Sequence, residues 1–273
     1  MTGPDETAPA STTERVFDRL KAAVDASEPV VLATVIEGPG TGAKLLVGPH
    51  IEAVGSLGDP DLDRVVARDA RGELAAGTTG VRHYGPHGEA GELVVSVFVE
   101  SFAPPPRMLI FGAVDFTAAL ARTAKLLGYR VTVCDAREVF ATTRRFPMAD
   151  EVVVDWPHRL IERIGDSLGE RDAVCVLTHD HKFDIPAIVA TLGTDVGYLG
   201  AMGSRRTHAD RVERLRAEGV DDAGLARILA PIGLDLGART PEETAIAICA
   251  EIIAQRTGRP APSLRDTEGS IHR

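Results

Sequence analysis

Cysteine is scarce in this sequence, which has three cysteines among 273 residues. Cys134, Cys175 and Cys249 stand far apart, each inside an apolar run. This spacing gives no support for a disulfide framework or a zinc cluster, both of which use paired or clustered cysteines. We therefore expect the three thiols to lie in the hydrophobic core, and we predict no metal site.

Long apolar runs are absent as well. No run reaches the roughly 18 residues that a membrane-spanning helix needs. The acidic, polar stretch MTGPDETAPASTTER lacks the apolar core of a secretory signal, and these two absences predict a cytoplasmic protein. The formal net charge of −10 disfavours a nucleic-acid partner, because nucleic-acid phosphates attract positively charged surfaces.

The sequence does contain two segments with regular apolar periodicity, separated by three consecutive prolines. Consecutive prolines favour a stiff spacer and cannot sit inside a helix or a central strand. We therefore predict an α/β protein with a disordered tail, a small mixed α/β domain, a proline linker, a Rossmann-like domain with a doubly wound parallel sheet, and a second disordered tail. Their bounds are residues 1–12, 13–102, 103–106, 107–258 and 259–273.

Apolar periodicity also predicts the elements of each domain. In the first domain we expect helices at residues 14–26 and 61–75 and strands at 30–36, 44–47, 51–54, 80–84 and 93–100. In the second we expect strands at 108–111, 130–134, 151–154, 173–177 and 196–199, with helices that include 185–191 and 207–218. A last helix is indicated by a capping box formed by Thr240 and Glu243, with Pro241 at the first helical position.

The turn at Gly112 predicts a Rossmann unit. An apolar run ends at this glycine, a helical pattern follows, and a second apolar run ends at Asp135, about 20 residues after the turn. A Rossmann unit places at that point the acid that hydrogen-bonds a ribose. Gly112 and Asp135 are therefore candidate cofactor-binding residues.

The dinucleotide fingerprint is incomplete, because Val114 and Thr117 stand where G-x-G-x-x-G has its second and third glycines. The Val114 side chain would occupy the space through which a pyrophosphate approaches the backbone. We also expect the Asp115 carboxylate to cap the first N–H groups of the helix and so to take the place of a phosphate. NAD(P) binding is therefore disfavoured, and a βαβ unit without any dinucleotide is equally compatible with the motif.

In a doubly wound sheet of order 3-2-1-4-5, ligands bind beyond the carboxyl ends of strands one and four. The loop after the fourth strand, residues 178–184, contains His179 and Asp180, which we predict to contact a polar ligand. One alternative is a metal site formed by His179, His181 and a carboxylate. Another is a polar loop that only caps the next helix.

The loop after the fifth strand combines Gly203 and Ser204 with Arg205 and Arg206. We predict that Ser204 caps the next helix, whose free N–H groups would form a phosphate-binding site together with the two arginines. The alternative is a solvated basic helix, because the arginines continue along it: Arg211, Arg214 and Arg216. A third loop, residues 231–238, is either a structural turn or a further wall of the same crevice.

Four stretches of the second domain together resemble the XdhC/CoxI family, accessory proteins of molybdenum hydroxylases. They read IFGAVDFTAALARTAKLLGYRVTVCDAREVFATTRRFPMADEVVVDWP, LTHDHKFDIP, YLGAMGSRRTH and PIGLDLGARTPEETAIAICAEIIA. The resemblance covers the whole second domain. In the first domain it is looser and rests on VVLATVIEGPGTGAKLLV and the helix that follows.

The resemblance implies a cofactor-handling chaperone rather than an enzyme. The proteins that this chain resembles look like chaperones that bind molybdenum cofactor (molybdopterin), assist its sulfuration and insert it into xanthine or carbon monoxide dehydrogenase. It implies a molybdenum hydroxylase client and allows for a sulfur donor and a homodimer.

This chain departs from the family in its first domain. A family segment with a cysteine and a glutamate is replaced by residues 55–61, which have neither, and a cysteine-glycine-glycine segment is replaced by residues 89–93. A soft thiolate is the group that molybdenum or sulfur transfer would use. Without it, the cofactor is expected to be held by its phosphate and pterin.

Two other functions stay open at this point. One is an NAD(P)-dependent oxidoreductase, which would use Asp135 to bind the ribose and His179 as acid or base. The other is a protein that binds a partner and has lost ligand binding. The leading hypothesis is an accessory protein that binds a phosphorylated pterin or nucleotide through one set of crevice residues. These are Gly112, Asp115, Asp135, His179, Asp180, Gly203, Ser204, Arg205 and Arg206.

Overall fold

The computed structural model describes residues 12–49, 51–89 and 94–268. Expectations for the first 11 residues, for residues 50 and 90–93, and for the last five residues lie outside the described parts. The chain divides into two compact units between Pro104 and Pro105. No helix within the described ranges is long and apolar enough to cross a membrane.

The first unit is an antiparallel five-stranded sheet of order β3-β2-β1-β5-β4, with two helices. Its elements are α1 (Thr12–Asp25), β1 (Val30–Glu37), β2 (Lys44–Val47), β3 (Val54–Ser56), α2 (Pro60–Ala76), β4 (Gly80–Tyr84) and β5 (Val95–Phe102). Alternate residues of β1 face the two helices: Val31 packs in the cluster that contains α2, and Val30 in the one that contains α1. The small mixed α/β architecture predicted for this segment is confirmed.

One strand of the first unit lies farther along the chain than predicted. Residues 51–54 have the apolar pattern of a strand, but β3 begins at Val54, opposite Leu46 of β2. Ile51 instead packs against Gly48, where an added Cβ would lie 2.9 Å from the Ile51 side chain. An apolar residue that closes a turn was therefore mistaken for the start of a strand.

The second unit is a parallel six-stranded sheet of order β11-β10-β9-β6-β7-β8. Its elements are β6 (Arg107–Phe111), α3 (Asp115–Leu126), β7 (Arg130–Cys134), β8 (Glu151–Val153), α4 (Pro157–Ile164), β9 (Ala173–Val176), α5 (His181–Leu192), β10 (Tyr198–Ala201), α6 (Arg205–Ala217), α7 (Asp222–Ala226), β11 (Ile228–Leu229) and α8 (Pro241–Thr257). In order of sequence within the unit this is 3-2-1-4-5-6, so the predicted doubly wound sheet is confirmed and extended by one short strand.

Helices cover both faces of the second sheet. Helices α3 and α8 pack with Met108, Ile110 and Cys175 on one face. Helices α4 and α5 pack with Leu109 and Val174 on the other. Because neighbouring residues of one strand point to opposite faces, β9 and residues 108–111 of β6 are apolar throughout, as expected for strands covered on both sides.

The last helix begins as the sequence predicts. The Thr240 hydroxyl accepts a hydrogen bond from the N–H of Glu243 at 3.2 Å, and a Glu243 carboxylate oxygen accepts one from the N–H of Thr240 at 3.1 Å. Pro241 occupies the first helical position, where its missing N–H costs no hydrogen bond. Beyond α8, residues 259–268 are exposed and contain a short 3-10 turn, Leu264–Asp266.

Candidate functional site

The loops that follow β6 and β9 meet at the carboxyl edge of the parallel sheet, where these two strands are neighbours and the winding reverses. Gly112, directly after β6, has φ +110°, and a Cβ on it would lie 2.5 Å from Cγ2 of Thr178, directly beyond β9. A side chain at this position would be both strained and in collision. Gly112 therefore allows the loops after β6 and β9 to touch.

Asp135, at the end of β7, is buried, and its carboxylate is engaged from within the protein. One oxygen accepts from the N–H and the Nε of Arg137, both at 2.9 Å. The other accepts from the N–H of Ala113 at 2.8 Å and from an Nη of Arg137 at 2.7 Å. Burial raises the pKa of Asp135, but these hydrogen bonds outweigh it and the pKa lies below its ordinary value. A carboxylate has about four acceptor positions, so none is left for a ribose.

The Gly112 turn is closed by Thr117 and not by Asp115. The N–H of Val114 donates to the Thr117 hydroxyl at 3.3 Å, and that hydroxyl donates to the carbonyl of Gly112 at 2.5 Å. The Asp115 side chain is 95% exposed, with Arg145 at 4.0 Å. The predicted cap by Asp115 is wrong, because Val114 is the N-cap and Asp115 is the first helical residue.

His179 and Asp180 lie in the loop after β9, and both are exposed. Asp180 is the N-cap of α5: its carboxylate accepts from the N–H of Lys182 at 3.1 Å and pairs with the Lys182 ammonium at 3.3 Å. Asp180 therefore caps the next helix, which was one of the alternatives for this loop, and the side chain of His179 is exposed to solvent. Within the described ranges, no set of three histidine, cysteine or acidic side chains could hold a metal ion.

A buried polar network joins the loops after β9 and β10. The Thr178 hydroxyl donates to the Asp184 carboxylate, which also accepts from an Nη of Arg211 at 3.2 Å. The same Nη donates to the carbonyl of Met202 at 2.8 Å. Burial raises the pKa of Asp184, against the lowering effects of Thr178 and Arg211. The network therefore holds the start of the β10–α6 loop against α5.

Arg211 was missed as a site residue. It belongs to a run of arginines that suggests a solvated helix face, and Arg214 and Arg216 are indeed exposed, but Arg211 is 0% exposed. Its position four residues before the buried Leu215 places both on the inner face of α6. The Nε and the second Nη of Arg211 are buried and have no hydrogen-bond partner among the described residues. Unmet guanidinium donors are costly, and an anion or an ordered water could satisfy them.

The amino-terminal end of α6 has free positive groups. Ser204 is the N-cap, as predicted, and its hydroxyl accepts from the N–H of Thr207 at 3.1 Å. The first N–H groups of a helix have no acceptor inside the helix. Arg205 and Arg206 are exposed, and no described carboxylate pairs with either of them. Gly203 has φ +146°, a conformation that favours glycine. This terminus can therefore bind an anion.

The loop after β7 adds two arginines that the sequence patterns did not indicate. The Arg137 guanidinium lies over the Phe140 ring at 4.7 Å and remains 45% exposed while it holds Asp135. An Nη of Arg145 donates to the carbonyl of Ala113 at 3.0 Å. The signal that the sequence offered was Arg137, a basic residue two positions after Asp135.

The loop of residues 231–238 forms a structural turn. The N–H of Gly233 donates to the Glu251 carboxylate at 2.9 Å, and that carboxylate also accepts from the Tyr198 hydroxyl at 2.6 Å. The Ile232 side chain lies over Gly200, where a Cβ would lie 2.5 Å from it. The loop is thus anchored to β10 and α8.

The three cysteines are buried and free, as predicted. Burial raises the pKa of Cys134 to about 12 and that of Cys249 to about 11, and it raises the pKa of Cys175 well above its ordinary value. They are core thiols, and none of them is a thiolate at neutral pH.

Known proteins share this fold and sequence. A solved xanthine dehydrogenase from Bacillus halodurans superposes with a TM-score of 0.61 at 21% identity, over 91% of this chain and 68% of that one, a likeness in fold. A probable xanthine dehydrogenase component from Bacillus subtilis is 31% identical over 59% of this chain and 46% of its own length. "Molybdenum cofactor insertion chaperone PaoD" of Escherichia coli is 28% identical over 58% of this chain and 43% of its own.

The chain spans about half the length of the curated relatives it matches. The XdhC Rossmann domain matches residues 108–252, more than half of the chain and nearly all of the second unit. The XdhC and CoxI family matches residues 23–85 of the first unit. Both units thus match the same family, in the order in which the sequence motifs suggested it, and the chain belongs to the XdhC/CoxI family.

Proposed function

We propose that this chain is an accessory protein that binds molybdenum cofactor and assists the maturation of a molybdenum hydroxylase such as xanthine or carbon monoxide dehydrogenase. The family membership and the names of the two curated relatives support an accessory role. In this proposal the cofactor is cargo, held until the client enzyme takes it over.

The observation that carries the proposal is the amino-terminal end of α6. Arg205 and Arg206 are exposed there without a described partner, and Gly203, two residues before Arg205, has a positive φ of +146°. The buried Arg211, with unmet donors, hydrogen-bonds the carbonyl of Met202 in the same loop. Free helical N–H groups with nearby guanidinium groups are suited to a phosphate, so these residues fit the phosphate of molybdopterin.

The other loops would border the ligand. His179 and Asp180 stand at the start of α5, beside the Gly112 turn, and would face the polar edge of the pterin. Asp135 would act through Arg137, which it orients, rather than touch the ligand. Asp115 has no part in holding the phosphate, because its exposed carboxylate would repel it.

A bond between molybdenum and a cysteine sulfur of this chain has no part in this proposal. The chain has three cysteines, and all are buried with raised pKa values. The ligand would therefore be held by charge and hydrogen bonds. Because ions screen charges over about 8 Å at physiological ionic strength, binding should weaken as salt is added.

The test compares two double variants of α6 in binding isolated molybdenum cofactor. Arg205→Ala/Arg206→Ala removes the proposed phosphate contacts, and Arg214→Ala/Arg216→Ala removes the same charge at the other end of the helix. We expect the first to weaken binding roughly tenfold or more, since a hydrogen bond to a charged group contributes about 1.5–3 kcal/mol. The second should bind as the parent does, and both should unfold as the parent does.

Two further arms separate the alternatives. Equal affinity in the two double variants would exclude the α6 terminus as the phosphate site. Salt-independent binding that is lost when Cys134, Cys175 or Cys249 is changed to serine would assign the cofactor to a thiol. The absence of binding under every condition would favour a partner-binding protein that has lost its ligand.

An NAD(P)-dependent oxidoreductase is disfavoured by the crowded Gly112 turn and by the saturated carboxylate of Asp135. We expect NAD and NADP to bind weakly and not to be turned over, as measured by calorimetry. Micromolar binding that is lost in a folded Asp135→Asn variant would contradict this expectation.

A further inference from the structure

A groove lies between α4 and α5, on the helical face of the second sheet. It encloses about 510 Å³. Its walls come from α4 and the 3-10 turn that follows it, from α5 and the two residues after it, and from Glu218, the first residue after α6. None of the loops of the candidate cofactor site lines it.

The floor of the groove is apolar. Ile161 and Ile185 are 3% and 8% exposed, respectively, and Val189 and Ala190 are partly exposed above them. Ile185 and Val189 are four residues apart on α5 and so share one face of the helix. An open apolar strip of this kind on a helical layer is suited to cover by another apolar surface.

The rim of the groove is acidic. Glu162, Asp166 and Glu218 line it, and all three are exposed. Among the described residues, no arginine or lysine lines the groove, and none of the three carboxylates is paired with a cation. Three unpaired negative charges thus surround an apolar floor.

We propose that the groove receives a basic amphipathic helix of a partner protein. The apolar side chains of that helix would lie on the floor at spacings of three, four and seven residues, as in other helix-in-groove interfaces. Its lysines and arginines would face Glu162, Asp166 and Glu218. An acidic rim also attracts such a helix from solution and disfavours acidic segments.

The position of the groove gives this contact a structural consequence. Helix α5, which forms one wall, begins at the loop of His179 and Asp180 in the candidate cofactor site. A partner seated in the groove would therefore contact the helix whose first turn borders that site. The proposal does not depend on cofactor binding, because the groove and the site share no lining residue.

The chain carries its own reporter for the groove. Trp156 is its single tryptophan, and its ring lies 5.9 Å from the ring of His158, which lines the groove. The probe is a synthetic peptide of leucine, alanine and lysine without tryptophan, of about 18 residues or roughly five helical turns, with its lysines on one face. Titration of this peptide into the chain should change Trp156 fluorescence, and its binding should weaken with added salt. A matched peptide with glutamate in place of lysine should bind at least about tenfold more weakly.

Two triple variants with the same change in charge make the test specific. Glu162→Lys/Asp166→Lys/Glu218→Lys reverses the rim, and Glu138→Lys/Asp235→Lys/Glu268→Lys reverses three exposed carboxylates elsewhere. The rim variant should lose about tenfold or more in affinity for the lysine peptide, and the control variant should lose much less. Ala190→Gln, which fills the floor and leaves the charge of the groove unchanged, should also weaken binding.

Several results would overturn the proposal. Equal losses in the two triple variants would show a general attraction to an acidic protein, and equal binding of both peptides would remove the role of the rim. Binding without any effect of Ala190→Gln would place the peptide outside the groove. Self-association of the chain without peptide, abolished in the rim variant on ultracentrifugation, would assign the groove to a second copy of this chain.

Discussion

Gly112 shows how one small residue determines the geometry of the candidate site. Its positive φ and its contact with Thr178 exclude a side chain for two independent reasons. The fingerprint of a dinucleotide site explains its first glycine by the tight turn after the strand, and in this chain the neighbouring loop also fills the space beside Gly112. The glycine is therefore required by the fold itself.

Gly112→Ala should destabilise the protein by about 1–3 kcal/mol more than Gly128→Ala. Gly128 also has a positive φ, +81°, but a Cβ there would meet no atom within 4 Å, so it measures the backbone cost alone. Urea unfolding gives both values. Adding Thr178→Ser, which removes the clashing methyl group and keeps the hydroxyl, should recover part of the loss. Equal costs for the two alanines would contradict the collision.

His87 and Asp59 form a pH-sensitive contact in the first unit. Nδ1 of His87 lies 2.9 Å from the Asp59 carboxylate, which also caps α2. The hydrogen bond to Asp59 raises the pKa of His87, and the hydrogen bonds from Leu62 and His87 lower the pKa of Asp59. The His87 contribution is complete below its unfolded pKa of about 6.5 and is lost as pH rises through the folded value. The Asp59 contribution is lost as pH falls through its lowered value.

We therefore expect an NMR titration of His87 to give a pKa above the ordinary histidine value of about 6.5. In Asp59→Asn, which keeps an oxygen for the helix cap but removes the charge, the pKa of His87 should fall toward its ordinary value. An unchanged titration in this variant would show that the contact does not form in solution.

The sequence predicted the site residues that depend on local interactions and missed those that depend on residues far away along the chain. Ser204 was predictable, because a cap is a local interaction between residues three apart. Arg211 was not, because its burial depends on Asp184, 27 residues away, and on Met202. Asp115 was mistaken for a cap because a shift of one residue at the helix start separates a capping carboxylate from an exposed one.

At the scale of elements, the strands of the parallel sheet were the most predictable feature. A strand covered on both faces is a short apolar run, and β6, β7 and β9 appear as such runs in the sequence. The order of these strands followed from the right-handed crossovers of an alternating βα pattern. Helices α4 and α7 and strand β11 have eight, five and two residues, too few to show a period.

Helix α8 depends on its first turn, because its apolar face packs against α3 on one face of the sheet. Thr240→Ala removes the hydroxyl that accepts from the N–H of Glu243, and should lower the free energy of unfolding by about 1 kcal/mol. Thr240→Ser keeps the hydroxyl and should remain close to the parent. Thermal or urea unfolding distinguishes the two, and equal stabilities would show that the box contributes little.

At the scale of the whole molecule, the chain combines an antiparallel and a parallel sheet in two units, each with its own core. The three cysteines all belong to the second unit, with Cys134 on one face of its sheet and Cys175 and Cys249 on the other. Their burial follows from the packing of both faces, so their reactivity reports on the integrity of that unit.

We expect a thiol reagent such as Ellman's to modify none of the three cysteines in the native protein and all three after unfolding in urea. The rate in the native state should follow the opening of the fold, since burial leaves the thiols protonated and inaccessible. A cysteine that reacts fast in the folded protein would contradict this expectation. It would make a bond between that cysteine and molybdenum a candidate contact again.

The internal bonding of Asp135 has a consequence for competition inside a cell. An open Rossmann crevice with a free acid would bind nicotinamide dinucleotides through the ribose. A crevice whose acid is saturated by Arg137 and Ala113 presents no such vacancy. In the proposed function, the chain keeps the architecture of a nucleotide-binding fold while its crevice stays open to a different phosphorylated ligand.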